Sequence, residues 1–398
     1  MAHFGGVNAL AIDKFDGRYL LSGGADSTIA MWDLETPASA PTSATSGPLT
    51  YRPLGTVARG ADAHKFGITD ISWYPFDSLA FLSSSFDATL KLYDALTLVP
   101  ATSFALDSPV YSHSMSPIAQ HILVACGTQH PSVRLVDLRS GVAVQALVGH
   151  TGAVLSTAWS PTEEYMLASG SSDGTVRLWD VRRSAAQLGV LDQEDAVGLR
   201  GYDGRGSGAR PAGRGRAHTG TVNGVVFTED GRHLVSTGHD ERIRVWDMQT
   251  GANTLANFGP FVRNDALACL LPCLAPTNMT EYFKDILFFP SEKEILMYEM
   301  FEGKLLKRLR GVWGEPDAGS TGKNKGKRQL KDLAWRPFNM ELYSAHTDGS
   351  IHVWRPWTKE DDEVGLEDED EERTKKRAAL EEIYQDVTKR QRNMFTVQ

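Results

Sequence analysis

Cysteine is scarce in this chain: Cys126, Cys269 and Cys273 are the only three among 398 residues. Three cysteines do not build a disulfide framework, and they point to a reducing compartment. Cys269 and Cys273 stand four apart with no second ligand pair, which argues against zinc. Long apolar runs are missing too. The best stretch, 266–275, is half of the roughly 20 residues that a membrane-spanning helix needs, and it contains Pro272. No charged, apolar-cored leader opens the sequence, so neither secretion nor a membrane partner is expected. No glycine-rich phosphate loop follows a strand and opens a helix, because the glycines of 201–215 have no apolar strand before them. Paired carboxylates crowd only the C-terminal tail, where solvent prevents tuned acid–base chemistry. No catalytic centre, cofactor or metal is expected from this inventory, and the chain reads as a non-enzyme.

What the sequence does have is a phrase that recurs. An aspartate is followed six positions later by an aromatic at Asp26/Trp32, Asp87/Tyr93, Asp173/Trp179, Asp240/Trp246 and Asp348/Trp354. A serine stands four residues before each aspartate, at Ser22, Ser83, Ser169, Ser236 and Ser344. In four copies a histidine lies 22 or 23 residues upstream of the aspartate, at His3, His64, His150 and His218. Between histidine and serine runs an alternating apolar stretch, such as 153–159, with the period of a strand. A second strand then holds the serine, a tight turn the aspartate and a third strand the aromatic, so each unit is a small antiparallel sheet. The polar groups can close one chain of hydrogen bonds, from indole N–H to serine, serine to histidine and histidine to aspartate. Ser, His and Asp together suggest a hydrolase. Recurring around the chain beside a tryptophan, they point instead to structural staples, each bond contributing about 1 kcal/mol.

Gly149-His150 followed by Ser169, Asp173 and Trp179-Asp180 resembles a WD repeat, which implies an all-β fold, the β-propeller. Two weaker copies bring the count to seven blades over residues 1–357: His130/Val136 with Cys126 in the serine position, and Glu292/Tyr298 between Phe288 and Met300. Successive third strands are 43 to 67 residues apart, against a minimal blade of about 40–45. The excess is assigned to mobile insertions at 34–60, rich in Pro, Ser, Thr and Ala, at 192–217, rich in Gly and Arg, and at 314–328. Beyond Trp357 the tail, 358–398, is acidic and then basic. Ten of the thirteen residues in 360–372 are acidic, and 373–393 has weak helical periodicity, so the tail is expected to be partly helical. Lys375, Lys376 and Arg377, then Lys389, Arg390 and Arg392, have the separation of two clusters read by a nuclear import receptor, although a charged helix face would look the same. The arginines of 200–216 could grip nucleic acid, but Tyr202 is their only aromatic, so direct nucleic-acid binding is expected to be weak or absent.

Particular phrases go beyond the generic repeat. Phe4-Gly5-Gly6-Val7, Gly17-Arg18-Tyr19-Leu20, Trp73-Tyr74-Pro75, Val110-Tyr111-Ser112-His113, Leu178-Trp179-Asp180-Val181 and Gly220-Thr221-Val222-Asn223 are, in this order, similar to the Cockayne syndrome A family, over residues 3 to about 357. That resemblance implies a nuclear, non-enzymatic substrate receptor of a cullin-four RING ubiquitin ligase in transcription-coupled nucleotide excision repair. Its implied partners are the ligase's damage-binding adaptor, the repair translocase and stalled RNA polymerase II. Asp173, Trp179, Asp180 and Arg182, after the small residues 168–170, match the pattern of receptors for that adaptor. Arg182 should lie just past the third strand, where its rigid fork can meet an acidic partner; 136–139 partly repeats the pattern. Members of that family carry a helical extension and a ring-closing strand before the first repeat. Here the first repeat histidine is residue 3, so adaptor docking is expected to be weakened and the last blade to close another way, unless the start was misassigned. The competing expectation is a WD-repeat scaffold in RNA processing or chromatin assembly.

Overall fold

The computed structural model describes residues 2–36, 50–60, 62–183, 186–195, 215–265, 269–275, 285–311, 329–336 and 339–356. They form seven antiparallel sheets, one after another along the chain. Blade 1 comprises β1 (Val7–Ile12), β2 (Tyr19–Gly24), β3 (Ile29–Asp33) and β4 (Pro53–Val57). Blade 2 follows with β5 (Ile68–Trp73), β6 (Ala80–Ser85), β7 (Thr89–Asp94) and β8 (Pro100–Ala105). Blade 3 is β9 (Val110–Met115), β10 (Leu123–Thr128), β11 (Ser132–Asp137) and β12 (Val142–Val148), and blade 4 is β13 (Val154–Trp159), β14 (Met166–Ser171), β15 (Val176–Asp180) and β16 (Gln187–Val190). Blade 5 has β17 (Val222–Phe227), β18 (His233–Gly238) and β19 (Arg242–Asp247). Blade 6 opens on the short β20 (Cys273–Leu274) and continues through β21 (Ile286–Ser291), β22 (Glu294–Glu299) and β23 (Lys304–Leu309). Blade 7 has β24 (Leu330–Arg336), β25 (Glu341–His346) and β26 (Ile351–Trp354). The chain is therefore a seven-bladed, all-β propeller.

First strands lie side by side around the axis, second strands are buried on both faces, and fourth strands such as β8 and β12 face solvent. Small residues in the second strands allow this stacking. A Cβ on Gly23 would come within 2.6 Å of Ile68 Cγ2 in the next blade. The core is accordingly divided into seven apolar clusters, each shared by two neighbouring blades. Leu21 and Ile29 meet Ile68 and Trp73 at the first seam; Leu10 and Trp32 meet Tyr343 and Ala345 where blade 7 returns to blade 1. The last seam is packed like the others, and it carries its own hydrogen bonds: Leu10 N–H donates to Asp332 Oδ2 at 2.7 Å, and Arg336 Nε donates to the Gly17 carbonyl at 2.5 Å.

The turn that holds each aspartate has one conformation. The carboxylate accepts the amide two residues on, at Thr28, Thr89, Thr175 and Ser350. The residue between has positive φ in all five clear copies: Ser27 68°, Ala88 62°, Gly174 81°, Glu241 56° and Gly349 82°. Gly349 has a second constraint. Its carbonyl accepts from Ala2 N and His3 N, and a Cβ there would stand 2.3 Å from the His3 carbonyl oxygen.

Two sequence-based assignments change. Residues 53–57 are not insertion but the fourth strand of blade 1, because their backbone completes the ladder with Ile29–Trp32. In blade 6 the turn between β21 and β22 is only two residues, Glu292 and Lys293, so Glu292 is no counterpart of the turn aspartates. The shorter turn shifts register: Tyr298 pairs Leu287 as Trp179 pairs Leu167, which puts Phe289 rather than Phe288 in the serine position. Blade 3 has the register expected, Cys126 opposite Arg134 as Ser169 is opposite Arg177. The segment 314–328, most of 192–217 and the whole tail 358–398, with both basic clusters, lie outside the described residues.

Candidate functional site

The recurring polar sets are assembled as spacing demands. In blade 4, Trp179 Nε1 donates to Ser169 Oγ at 2.7 Å, and Ser169 lies 2.7 Å from His150 Nε2. His150 Nδ1 then faces Thr175 Oγ1 at 3.0 Å and Asp173 at 3.3 Å. Blade 5 has the same order, with Trp246, Ser236, His218 and Asp240 at 2.8, 2.7 and 2.8 Å. In blade 1 Trp32 donates to Ser22, which meets His3, while Thr28 bridges from His3 to Asp26 at 2.6 Å on each side. Blade 2 pairs His64 with Ser83 at 2.7 Å and with Asp87 at 3.1 Å, beside Tyr93. Burial opposes ionisation of Asp173, yet the bonds from His150, Thr175 and the Thr151 amide hold its carboxyl well below the usual range. Burial lowers the His150 and His218 pKa values, which favours the neutral imidazole, and in blade 5 Arg244 Nη1 also donates to His218 Nδ1 at 2.6 Å. The serines are fully buried inside the sheets, so no substrate reaches them.

Three parts of these sets were not anticipated. A hydroxyl two residues after the aspartate, Thr28, Thr89, Thr175 or Ser350, donates to it at 2.6–2.7 Å; its recurrence in four of five copies was a readable signal. Blade 7 has no upstream histidine and uses its own strands instead: Ser344 meets His346 at 3.0 Å, Trp354 donates to Ser344, and Ser350, bound to Asp348, meets His352. The third residue of some first strands reaches across a seam. Asp70 Oδ2 accepts His113 N–H, Ser156 Oγ accepts Val225 N–H, and Asp332 accepts Leu10 N–H. Each follows a bulge in its strand, which turns the side chain toward the next blade.

The four residues matched to adaptor docking are not presented together. Trp179 is 1% exposed and Asp173 is bound within its turn. Asp173 lies in the turn that precedes β15 and Asp180 is the last residue of that strand, so they belong to opposite faces of the ring. Only Arg182 is offered to solvent, with 61% of its side chain exposed. Its Nε and Nη2 fork the two oxygens of Asp180 at 2.9 and 2.8 Å, and its guanidinium lies 4.8 Å from the Tyr165 ring centre. The Arg182 bonds hold the Asp180 carboxyl at about 2. Three N–H groups of the guanidinium remain for a partner, on a side chain already oriented. Arg139, in the partial repeat, donates its amide to Asp137, and no side-chain bond fixes it among the described residues.

The WD domain, G-beta repeat, family model matches residues 1–33, 55–94, 141–180 and 210–247, the copies in which histidine, serine and aspartate are all present. The chain is 30% identical over 422 residues to WD repeat-containing protein ATCSA-1 of Arabidopsis thaliana, an alignment taking in 91% of this chain and 88% of that relative. This chain belongs to the WD-repeat proteins. Ribosome biogenesis proteins are similar over a shorter stretch. YTM1 of Vanderwaltozyma polyspora is 31% identical over 47% of this chain and 46% of its own length. For ytm1 of Emericella nidulans the identity is 31%, over 61% and 53%. The chain thus spans about half the length of these two relatives.

One seam of this WD-repeat ring is expected to respond to pH. Burial raises the Asp332 carboxyl from 3.8 to about 7, with the Leu10 amide pulling the other way and the Asp70 charge adding to the rise. Between about pH 4 and 7 the folded protein holds a proton that the unfolded chain has released, so this group's contribution is fully present at low pH and lost as pH rises. Relative to Asp332→Asn, the wild type is expected to lose about 2 kcal/mol of stability between about pH 5 and 8. Urea titrations at both values check this; a pH-independent difference would mean that Asp332 is ionised throughout.

Proposed function

We propose that this WD-repeat protein is a nuclear, non-enzymatic substrate receptor of a cullin-four RING ubiquitin ligase in transcription-coupled nucleotide excision repair. The observation that carries the reading is the extent of similarity to ATCSA-1: the alignment takes in 91% of the chain, well beyond the four matched repeats. Arg182 is the docking residue in this proposal. Clamped by Asp180 and stacked on Tyr165, it meets an acidic surface of the damage-binding adaptor with little conformational entropy left to lose. Other surfaces of the ring engage the repair translocase and stalled RNA polymerase II.

Affinity purification with the adaptor tests the reading. The wild-type chain is expected to recover it and Arg182→Ala to recover several-fold less while still folded at the assay temperature, although the loss of the Asp180 pair lowers its melting temperature. No adaptor bound to the wild type would sink the receptor role; equal recovery by the variant would remove Arg182 from it. The Ytm1 relatives support a second reading, a WD-repeat scaffold in RNA processing. Co-sedimentation with precursor ribosomal particles in place of the adaptor is the outcome that favours it.

A further inference from the structure

Six of the seven first strands carry a bulge at the same place, which leaves one extra residue outside the pairing: Asn8, Thr69, Tyr111, Leu155, Asn223 and Lys331. A bulge turns its residue out of the ladder, so the side chain must be satisfied or covered elsewhere. All but Lys331 are. Asn8 donates to the Ile68 carbonyl at 2.8 Å, Thr69 shares a hydrogen bond with Ser84 at 3.0 Å, and Asn223 donates to Asn264 at 2.8 Å. Tyr111 meets Phe86 edge to face at 6.0 Å, and Leu155 is buried.

Lys331 stands half-buried on the wall of a cavity of about 600 Å³. Among the described residues no carboxylate lies within 4.0 Å of its ammonium and no hydrogen bond engages it. The other charged groups on that wall are Arg263, Asp265 and Glu292, and Arg263 is already paired to Glu241 at 2.6 Å. Asp332, next along the strand, accepts from the Leu10 amide. Lys91, the other lysine drawn into the ring, donates to the Asp62 and Ala63 carbonyls. An ammonium that has lost water without gaining an acceptor gives up its proton more readily, and burial alone lowers the pKa of this one. The neutral amine is a nucleophile, and the cavity leaves space in front of it.

We propose that Lys331 is an acylation site, taking an acyl group from a small thioester. The amine lone pair attacks the thioester carbonyl carbon. A C–N bond replaces the C–S bond, and the thiol leaves with the proton that the nitrogen gives up. The product decides the class of donor. An amide removes the uncompensated charge, whereas the imine formed with an aldehyde would take up a proton and restore it. Acylation leaves Arg263, Asp265 and Glu292 to set the charge of the cavity. The site makes no use of Arg182, so its failure leaves the receptor reading untouched.

Brief treatment of the full chain with S-acetyl-N-acetylcysteamine, read by mass spectrometry of each lysine-containing peptide, tests the proposal. At about pH 7.5 Lys331 is expected to be acetylated about tenfold faster than the exposed Lys65 and Lys304, because a larger fraction of it is neutral. The advantage should shrink to about twofold or less near pH 10, where ordinary lysines shed their proton as well. It should vanish in the urea-unfolded chain. Lys331→Met should melt no lower than the wild type, because it removes an unpaired charge and keeps the stem. Labelling of Lys331 no faster than of Lys65 and Lys304, or an advantage that survives unfolding, would overturn the site. So would a lowered melting temperature of Lys331→Met, which would mean that the ammonium has a partner in the folded ring.

Discussion

Replacing Gly349 by alanine is expected to destabilise the protein by about 2–5 kcal/mol, read as a lowered urea midpoint at unchanged slope. Two costs add. Alanine in the left-handed region costs about 1–2 kcal/mol, and Gly349 has φ 82°. The new methyl would then stand 2.3 Å from the His3 carbonyl oxygen and 2.6 Å from that of Gly5, backbone atoms that cannot swing aside. Moving them breaks the bonds that Ala2 and His3 donate to the Gly349 carbonyl, and with them the join of blades 7 and 1. Gly141 supplies the control. Its φ is 75° and nothing lies within 4 Å of a Cβ there, so Gly141→Ala carries only the conformational cost. Equal losses in the two variants would show that blade 7 does not close on the His3 loop.

Trp179→Ala should cost about 3–5 kcal/mol, the range for emptying the site of a large buried aromatic. The indole is 1% exposed and packs with Trp159, Leu167 and Ala186 where blades 3 and 4 meet. Its N–H also ends the chain of bonds through Ser169 and His150, so truncation leaves a buried hydroxyl short of a donor. Trp179→Phe separates the two effects: it keeps most of the ring and loses the donor, at about 1–2 kcal/mol. Denaturant titration of both variants decides, and a loss near zero for alanine would contradict the packing.

How much of this was readable in the sequence depended on distance along the chain. The polar sets were legible because a tryptophan, serine, histidine and aspartate fix their own spacing when they bond, and five sheets could be placed from them. Blade 6 was placed one residue out of register because Phe289 sits where a serine would mark the strand. The acceptors Asp70, Ser156 and Asp332 escaped notice because their partners are in the next blade and a bulge, invisible in a pattern of period two, aims them. His346 and His352 were missed because they lie in the strands of blade 7 itself, downstream of Ser344, rather than at the usual upstream position. Of the four residues matched to the adaptor pattern, Arg182 alone is exposed, as its place just past the third strand implies. The pattern also joins Asp173, Trp179 and Asp180 on one line of text, although the length of β15 separates the first from the third and the strand buries the second.

The bond from Leu10 to Asp332 joins residues 322 apart, whereas the equivalent bonds at inner seams join residues 43 and 69 apart. Loop-closure entropy grows with the logarithm of that separation, so the final seam costs about 1–2 kcal/mol more to bring together than the others. During synthesis it must also form last. While blade 7 is still on the ribosome, Leu10 and Trp32 of blade 1 lack the Tyr343 and Ala345 side chains that cover them in the ring. At high concentration a second molecule's blade 7 presents the same complement, so the choice between a ring and an exchanged dimer is a kinetic one, settled by how quickly each nascent chain meets its own beginning.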